Sequence, residues 1–298
     1  MNKIKLDGIF PPLITSFEND EVALDKFADN IQKLNSANLS GYVVLGSNGE
    51  TCFLTKNEKL SLIRKVKSTA SDGKIIIAGT GMDSIKETVS LTNDAAFEGA
   101  DAALILTPSF FKGRMNHDAL LEYFSAVADQ VKIPVIIYNV PKFTNVVIQP
   151  KTVKELAKHK NICGIKSSST DIAYLGEISN LVNTDFNILA GTASILYAGL
   201  CLGASGGILA AANLLPNECV KIYESYKSGN LDEALSLQNN LLAVNKAITA
   251  TFGVAGLKKA MDWLGYYGGL PRSPLQKLNN NEEEKLKQIL IEENYLSK

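Results

Sequence analysis

Histidine is nearly absent from this sequence. Its 298 residues contain two, His117 and His159, neither in a Glu-x-x-His or His-x-His pattern. Histidine triads and zinc hydrolase sites therefore lose their basis. The four cysteines, Cys52, Cys163, Cys201 and Cys219, are scattered and form no C-x-x-C pair. Reduced thiols in a cytoplasmic protein are the expectation, rather than a disulfide framework or a metal site. No apolar run approaches the ~18 residues that span a bilayer, and Met1 to Phe10 lacks a signal or transit character. Charge of one sign is also missing. Thirty Lys and Arg against 31 Asp and Glu leave a net charge of −1, which offers no sequence-wide attraction to nucleic acid or a membrane surface. If the chain is an enzyme, something other than histidine moves its protons.

What is present is a recurring apolar run. The runs are Ile9-Phe10 with Leu13-Ile14, Gly41 to Leu45, Ile75 to Ala78, Ala102 to Leu106, Val135 to Tyr138, Ile162 to Ile165, Phe186 to Leu189 and Gly206 to Leu209. Most are continuous rather than alternating, as expected for parallel strands covered on both faces. Their spacing of about 20 to 33 residues accommodates a strand, a loop and a crossover helix. Thr55-x-x-Glu58 and Ser84-x-x-Glu87 read as capping boxes that open two of those helices, and Leu60, Ile63, Val66 and Ala70 read as a buried face. Eight such units predict an α/β fold, a (β/α)8 barrel over residues 1–225, with a doubly wound sheet as runner-up. Residues 226–298 are helical only, over Asp232 to Ala250, Leu257 to Leu264 and Glu282 to Ile291, and predict a C-terminal helical region packed on the barrel.

A barrel places its chemistry at the C-terminal ends of its strands. The second run ends in Gly46-Ser47-Asn48-Gly49-Glu50, either an ordinary strand–helix turn or a loop whose backbone, hydroxyl and amide bind a carboxylate. Gly79-Thr80-Gly81 is no dinucleotide fingerprint, since Ser84 takes the third glycine position. The fifth run ends in Tyr138-Asn139-Val140-Pro141 and the sixth in Gly164-Ile165-Lys166-Ser167-Ser168-Ser169. Tyr138 is a core-edge phenol or a proton carrier; Lys166 is a snorkelling rim charge or a Schiff-base nucleophile with a desolvated amine. A lysine and a tyrosine in a histidine-poor barrel point together to class I aldolase chemistry.

These motifs resemble the N-acetylneuraminate lyase and dihydrodipicolinate synthase superfamily over nearly the whole chain. Gly46 to Glu50 is similar to its carboxylate-binding loop, Tyr138 to Pro141 to its tyrosine motif, and Gly164-Ile165-Lys166 to its Schiff-base strand. Gly203 to Asn213 and Arg272-Ser273-Pro274-Leu275 fit as well. Within the superfamily the chain most resembles 4-hydroxy-2-oxoglutarate aldolase, through Phe53-Leu54-Thr55, Lys112 to Met115, Leu189-Ala190-Gly191 and the stretch Gly256 to Gly269. The resemblance implies a cofactor-free and metal-free enzyme that cleaves 4-hydroxy-2-oxoglutarate to pyruvate and glyoxylate. It also implies a homotetramer built as a dimer of dimers.

Residue by residue, it implies Lys166, Tyr138 and Ser47 as catalytic, and Asn48, Ser168, Gly191 and Ile208 around the 2-oxo acid. Three positions depart from sister enzymes. Phe143 stands where dihydrodipicolinate synthases carry an arginine for the aldehyde's carboxylate. Thr192, Ala193 and Ser194 stand where sialic acid lyases place acids. Phe110 replaces a tyrosine that completes a proton relay across a subunit interface, leaving Ser47 and water for the proton path. A 2-keto-3-deoxy sugar acid aldolase, a dihydrodipicolinate synthase-like enzyme and a non-catalytic 2-oxoacid-binding regulator remain as alternatives. Arg114 and Lys142 are candidates for a second substrate carboxylate.

Overall fold

The computed structural model describes residues 4–297. Eight parallel strands form its centre: β1 (Gly8–Phe10), β2 (Gly41–Val44), β3 (Ile75–Gly79), β4 (Ala102–Leu106), β5 (Val135–Asn139), β6 (Ile162–Ser167), β7 (Asn187–Ala190) and β8 (Gly206–Ile208). From β2 to β8 each strand pairs with the next in sequence, and β8 returns to β1. The remaining seam, between β1 and β2, is closed just past β1: Leu13 N–H donates to the Val43 carbonyl at 2.8 Å, and Val43 N–H to that of Pro11 at 3.0 Å. This is the (β/α)8 barrel expected from the spacing. Closure follows from eight similar units, each burying one strand between an inner and an outer layer.

The two layers are chemically distinct. Inside the barrel lie Phe10, Val43, Ile77, Leu104, Ile136, Tyr138, Leu189 and Ile208. Outside, alternate residues such as Ile105, Ile137, Ile165 and Ile188 pack beneath the helices. Those helices are α1 (Leu24–Leu34), α2 (Lys56–Thr69), α3 (Ile85–Phe97), α4 (His117–Gln130), α5 (Pro150–Leu156), α6 (Ile172–Leu181), α7 (Leu196–Cys201) and α8 (Pro216–Lys227).

Two local expectations need correction. Thr55 and Glu58 make the full capping box, each satisfying a backbone N–H of the other. Ser84 caps Glu87 N–H but receives nothing in return, because the Glu87 carboxylate turns to the Ser84 hydroxyl at 3.5 Å instead of its backbone. In α2 the buried stripe is Lys59, Leu62, Ile63 and Val66. Leu60 and Ala70 lie on its flank, half-buried. A short antiparallel hairpin, Phe17–Glu18 with Glu21–Val22, precedes α1 and left no mark in the apolar pattern.

Past the eighth unit come α9 (Leu231–Lys246), a π-helical turn over Ala247–Thr251, α10 (Gly253–Trp263) and α11 (Asn280–Glu292). The chain between α10 and α11 folds back onto the β2 side of the barrel. There Asn30 exchanges two hydrogen bonds with the Tyr267 backbone, both 2.8 Å. No helix among the described residues is long and apolar enough to cross a membrane.

Candidate active site

Lys166 owes its place to an irregularity. On β6, Ile162 pairs with Val135 and belongs to the outer layer. Strict alternation from Ile162 would put Lys166 on that outer face too. Instead Gly164, not Cys163, pairs with Ile136, so one extra residue is inserted and the strand is re-phased. Ile165 then faces the helices, and Lys166 faces the barrel interior opposite Tyr138 on β5 and Leu189 on β7. Gly164 is required at that point. A Cβ there would sit 2.5 Å from the Asn187 carbonyl oxygen.

The ammonium and the phenol meet in the barrel mouth. Lys166 Nζ lies 4.2 Å from the centroid of the Tyr138 ring, and both residues are buried. The Tyr138 hydroxyl has two hydroxyl neighbours at 3.4 Å, Ser47 Oγ from the turn after β2 and Ser168 Oγ from the end of β6. Burial pushes the Tyr138 phenol up, but the Lys166 charge and the bonds to Ser168 and Ser47 outweigh it, so it titrates below its ordinary value. Such a phenol can both surrender and take up a proton beside an amine.

Gly191, directly after β7, completes the wall. Its N–H donates to the Ser167 carbonyl at 2.7 Å, and its own carbonyl accepts from Ser168 Oγ at 3.4 Å. A Cβ at Gly191 would lie 2.3 Å from Ser168 Oγ and 2.7 Å from Ser168 Cα. Asn48 sits in a single 3-10 turn, Ser47–Gly49, with its side-chain NH2 buried and without a hydrogen-bond partner among the described residues. Ile208, on β8, belongs to the same interior cluster as Tyr138. Lys166, Tyr138, Ser47, Ser168 and Gly191 therefore converge, with Asn48 and Ile208 on adjoining walls.

The suggested second-carboxylate cations do not join them. Arg114 is exposed beyond β4, and Lys142 gives its ammonium to the Thr249 carbonyl at 2.9 Å. Phe143 and Phe110 are exposed aromatics, at 60% and 79%. Phe110 stacks edge-on against Phe111, on a loop whose Ser109 and Phe110 N–H groups both donate to Asp83. Sequence reading passed over Thr107, a buried hydroxyl just past β4. It also passed over the structural role of Glu50. For Thr107 the available signal was a polar residue directly after an apolar run; Glu50, four residues further from its own run, carried no such signal. Among the described residues no group of His, Cys, Asp or Glu could hold a metal ion.

A buried lysine beside a phenol at the C-terminal mouth of a closed barrel defines the class I aldolase type of (β/α)8 enzyme. The chain belongs to the Dihydrodipicolinate synthetase family, whose sequence pattern matches residues 5–293. It is 35% identical to a 4-hydroxy-tetrahydrodipicolinate synthase of Methanoculleus marisnigri over 96% of this chain and 98% of that one. It is 32% identical to the synthase of the same name from Archaeoglobus fulgidus, over 95% and 97%. The fold superposes on a dihydrodipicolinate synthase of Thermotoga maritima with a TM-score of 0.94 at 25% identity, covering 98% of this chain and all of the other. A prophage protein of the same family from E. coli K12, in complex with pyruvate, aligns with a TM-score of 0.92 at 28% identity, over 98% and 99%. The chain is thus a carbon–carbon lyase of a pyruvate-using aldolase family.

Proposed function

We propose that Lys166 forms a Schiff base with a 4-hydroxy-2-oxo acid and that the enzyme releases pyruvate from it, with 4-hydroxy-2-oxoglutarate, which yields glyoxylate, as first substrate. The observation that carries this reading is the 4.2 Å approach of Lys166 Nζ to the Tyr138 ring beneath two hydroxyls.

In this mechanism the Lys166 amine adds to C2 and water leaves, giving an iminium. The turn at Ser47 and Asn48, with Ser168 nearby, holds the substrate carboxylate through N–H, amide and hydroxyl donors. Tyr138, held by Ser47, takes the proton of the 4-hydroxyl. The C3–C4 bond then breaks, its electron pair moving into the iminium, and the aldehyde departs. Protonation of the enamine at C3 and hydrolysis return pyruvate and free Lys166. No organic cofactor enters these steps.

The names of the relatives favour a second reading, the condensation that makes 4-hydroxy-tetrahydrodipicolinate. Against it stands the position that the family resemblance gives to an arginine for the aldehyde's carboxylate. Phe143 offers no bidentate partner to an aldehyde's carboxylate, and the adjacent Lys142 is spent on a backbone carbonyl. A third reading, cleavage of a 2-keto-3-deoxy sugar acid, draws on the uncharged side chains beyond Gly191, where Asn245 donates to Thr192 Oγ1 at 3.0 Å and Ser194 Oγ at 2.7 Å. Trapping with pyruvate and borohydride tests the shared step, by one reduced adduct that is lost in Lys166→Ala. Pyruvate release from the two acids, set against condensation with the relatives' aldehyde substrate, then separates the readings. An adduct without any turnover would identify a 2-oxoacid-binding regulator instead.

A further inference from the structure

The turn that carries Ser47 and Asn48 is bracketed by two residues in left-handed backbone, Leu45 at φ 62° and Glu50 at φ 53°. Neither is glycine. Such residues persist only where their surroundings over-determine them, and they collect at functional sites. At Leu45 the surroundings are the neighbouring strand: its carbonyl comes so near Gly79 that a Cβ there would be 2.1 Å away. At Glu50 they are ionic.

The Glu50 carboxylate is buried at the exit of the turn. Its Oε1 lies 2.5 Å from Lys258 Nζ, with both side chains essentially inaccessible, and its Oε2 accepts the Arg272 backbone N–H at 2.8 Å. Lys258, on α10, donates to the Leu270 carbonyl at 3.0 Å. Its ammonium stands 4.5 Å from the centre of the Phe17 ring, and the Arg272 guanidinium lies 4.4 Å from the same ring. The Arg272 guanidinium in turn binds Glu58 at 2.7 Å and the Phe53 carbonyl at 3.0 Å, and also reaches Asp20. Gly268 fits against Lys258 so closely that a Cβ would fall 1.8 Å from its carbonyl oxygen. Every partner of the Glu50 carboxylate comes from beyond the eighth βα unit.

The turn has little of its own to hold its shape. Its internal ties are Gly49 N–H to the Gly46 carbonyl at 3.0 Å and Glu50 N–H to that of Ser47 at 3.1 Å, with Thr15 Oγ1 bound to the Gly49 carbonyl at 2.6 Å. A buried ion pair is weak evidence for stability, since apolar residues of the same volume often serve as well. What such a pair does supply is direction. One carboxylate oxygen paired with a buried ammonium and the other accepting a backbone N–H set the backbone at Glu50, and through it the three residues before it.

We propose that Glu50 and Lys258 are positioning residues for the 2-oxoacid carboxylate. The C-terminal helical region clamps the exit of the Ser47–Asn48 turn, so that its donors stay aimed into the mouth beside Lys166. This rests on the Schiff-base reading above and adds a role for residues that never touch the substrate.

The test is borohydride trapping at increasing pyruvate, read by intact mass, on the parent, on Glu50→Gln, and on the double variant Glu50→Leu with Lys258→Met, which leaves no unpaired charge. A surface-pair variant, Arg64→Ala, serves as control. The expected result is a half-saturating pyruvate concentration raised about tenfold, the equivalent of one charge-assisted hydrogen bond, with trapping still reaching one adduct per chain. A purely structural role would lower the fraction of competent chains and leave half-saturation of the rest unchanged. Half-saturation within twofold of the parent in either folded variant overturns the proposal. Failure of both variants to fold overturns it as well, by making the pair a folding element. No adduct in the parent would instead remove the Schiff-base reading, and the clamp with it.

Discussion

At the scale of single residues, the barrel mouth separates two kinds of chemistry that look alike in a list of side chains. In the proposed mechanism Lys166 supplies the amine and Tyr138 the proton traffic, so their variants should fail differently. Tyr138→Phe is expected to retain the borohydride adduct and lose cleavage by roughly 10²–10⁴, the range for a positioned acid–base group. Lys166→Ala should lose both. Tyr138 titrates below its ordinary value of 10.0, and its base form is the active one in the proposed cleavage. The rate should therefore rise with pH, with its midpoint below the ordinary phenol value of 10.0. Ser168→Ala removes one of the bonds that lower this value, so the midpoint of the rise should move upward. A pH profile with the same midpoint in both proteins would disprove the assignment. Phe110→Tyr, which restores a hydroxyl to the exposed ring, should raise turnover; unchanged turnover would make the position packing alone.

Among elements, β6 shows how far residue type can be read and where it stops. That the lysine ending this strand was a candidate for chemistry was legible from the sequence, because a lysine closing an apolar run needs a partner. Which face it points to was not. Ile162 and Ile165 are both outward, three apart, a spacing that alternation forbids. The inserted residue that reconciles them is visible only in the pairing of β5 with β6. Gly191 is a second case. In sequence it was one glycine after an apolar run; in the fold its missing Cβ is the space taken by Ser168. Gly191→Ala should push that backbone apart and reduce cleavage about tenfold or more, since a displaced group costs rate steeply, while the melting temperature falls only modestly. Loss of folding without a prior loss of activity would contradict this.

Across the whole molecule, the C-terminal region and the barrel are joined by charge. Arg272 beside Glu58 holds that carboxyl down at about 2, against an ordinary 4.5. A depressed carboxyl contributes stability above its unfolded value, and that contribution drains away as pH falls through the folded one. The parent should lose stability between pH 4.5 and about 2 more steeply than Glu58→Gln, as measured by urea unfolding. Equal slopes would show the pair to be idle. Phe110, Phe111 and Phe143 are exposed aromatics, and the homotetramer that the family resemblance implies would offer such rings a partner surface. Light scattering should then give four times the 32.2 kDa chain mass, and Phe111→Ser should lower it. A single-chain mass would refute the assembly and not the fold.

The sequence by itself determined the barrel, because eight apolar runs at crossover spacing have few other ways to bury both faces of every strand. It also determined which residues end those strands, and hence the lysine–tyrosine pair, since composition had removed the histidine and metal alternatives. Only the tertiary structure decided that Lys166 faces inward, that Lys142 is spent on a carbonyl, and that Glu50 meets Lys258 across 208 positions of chain. The reason is physical. Periodicity records how each residue stands to its own element, whereas a bulge, a buried ion pair and a close backbone approach are relations between elements distant in sequence.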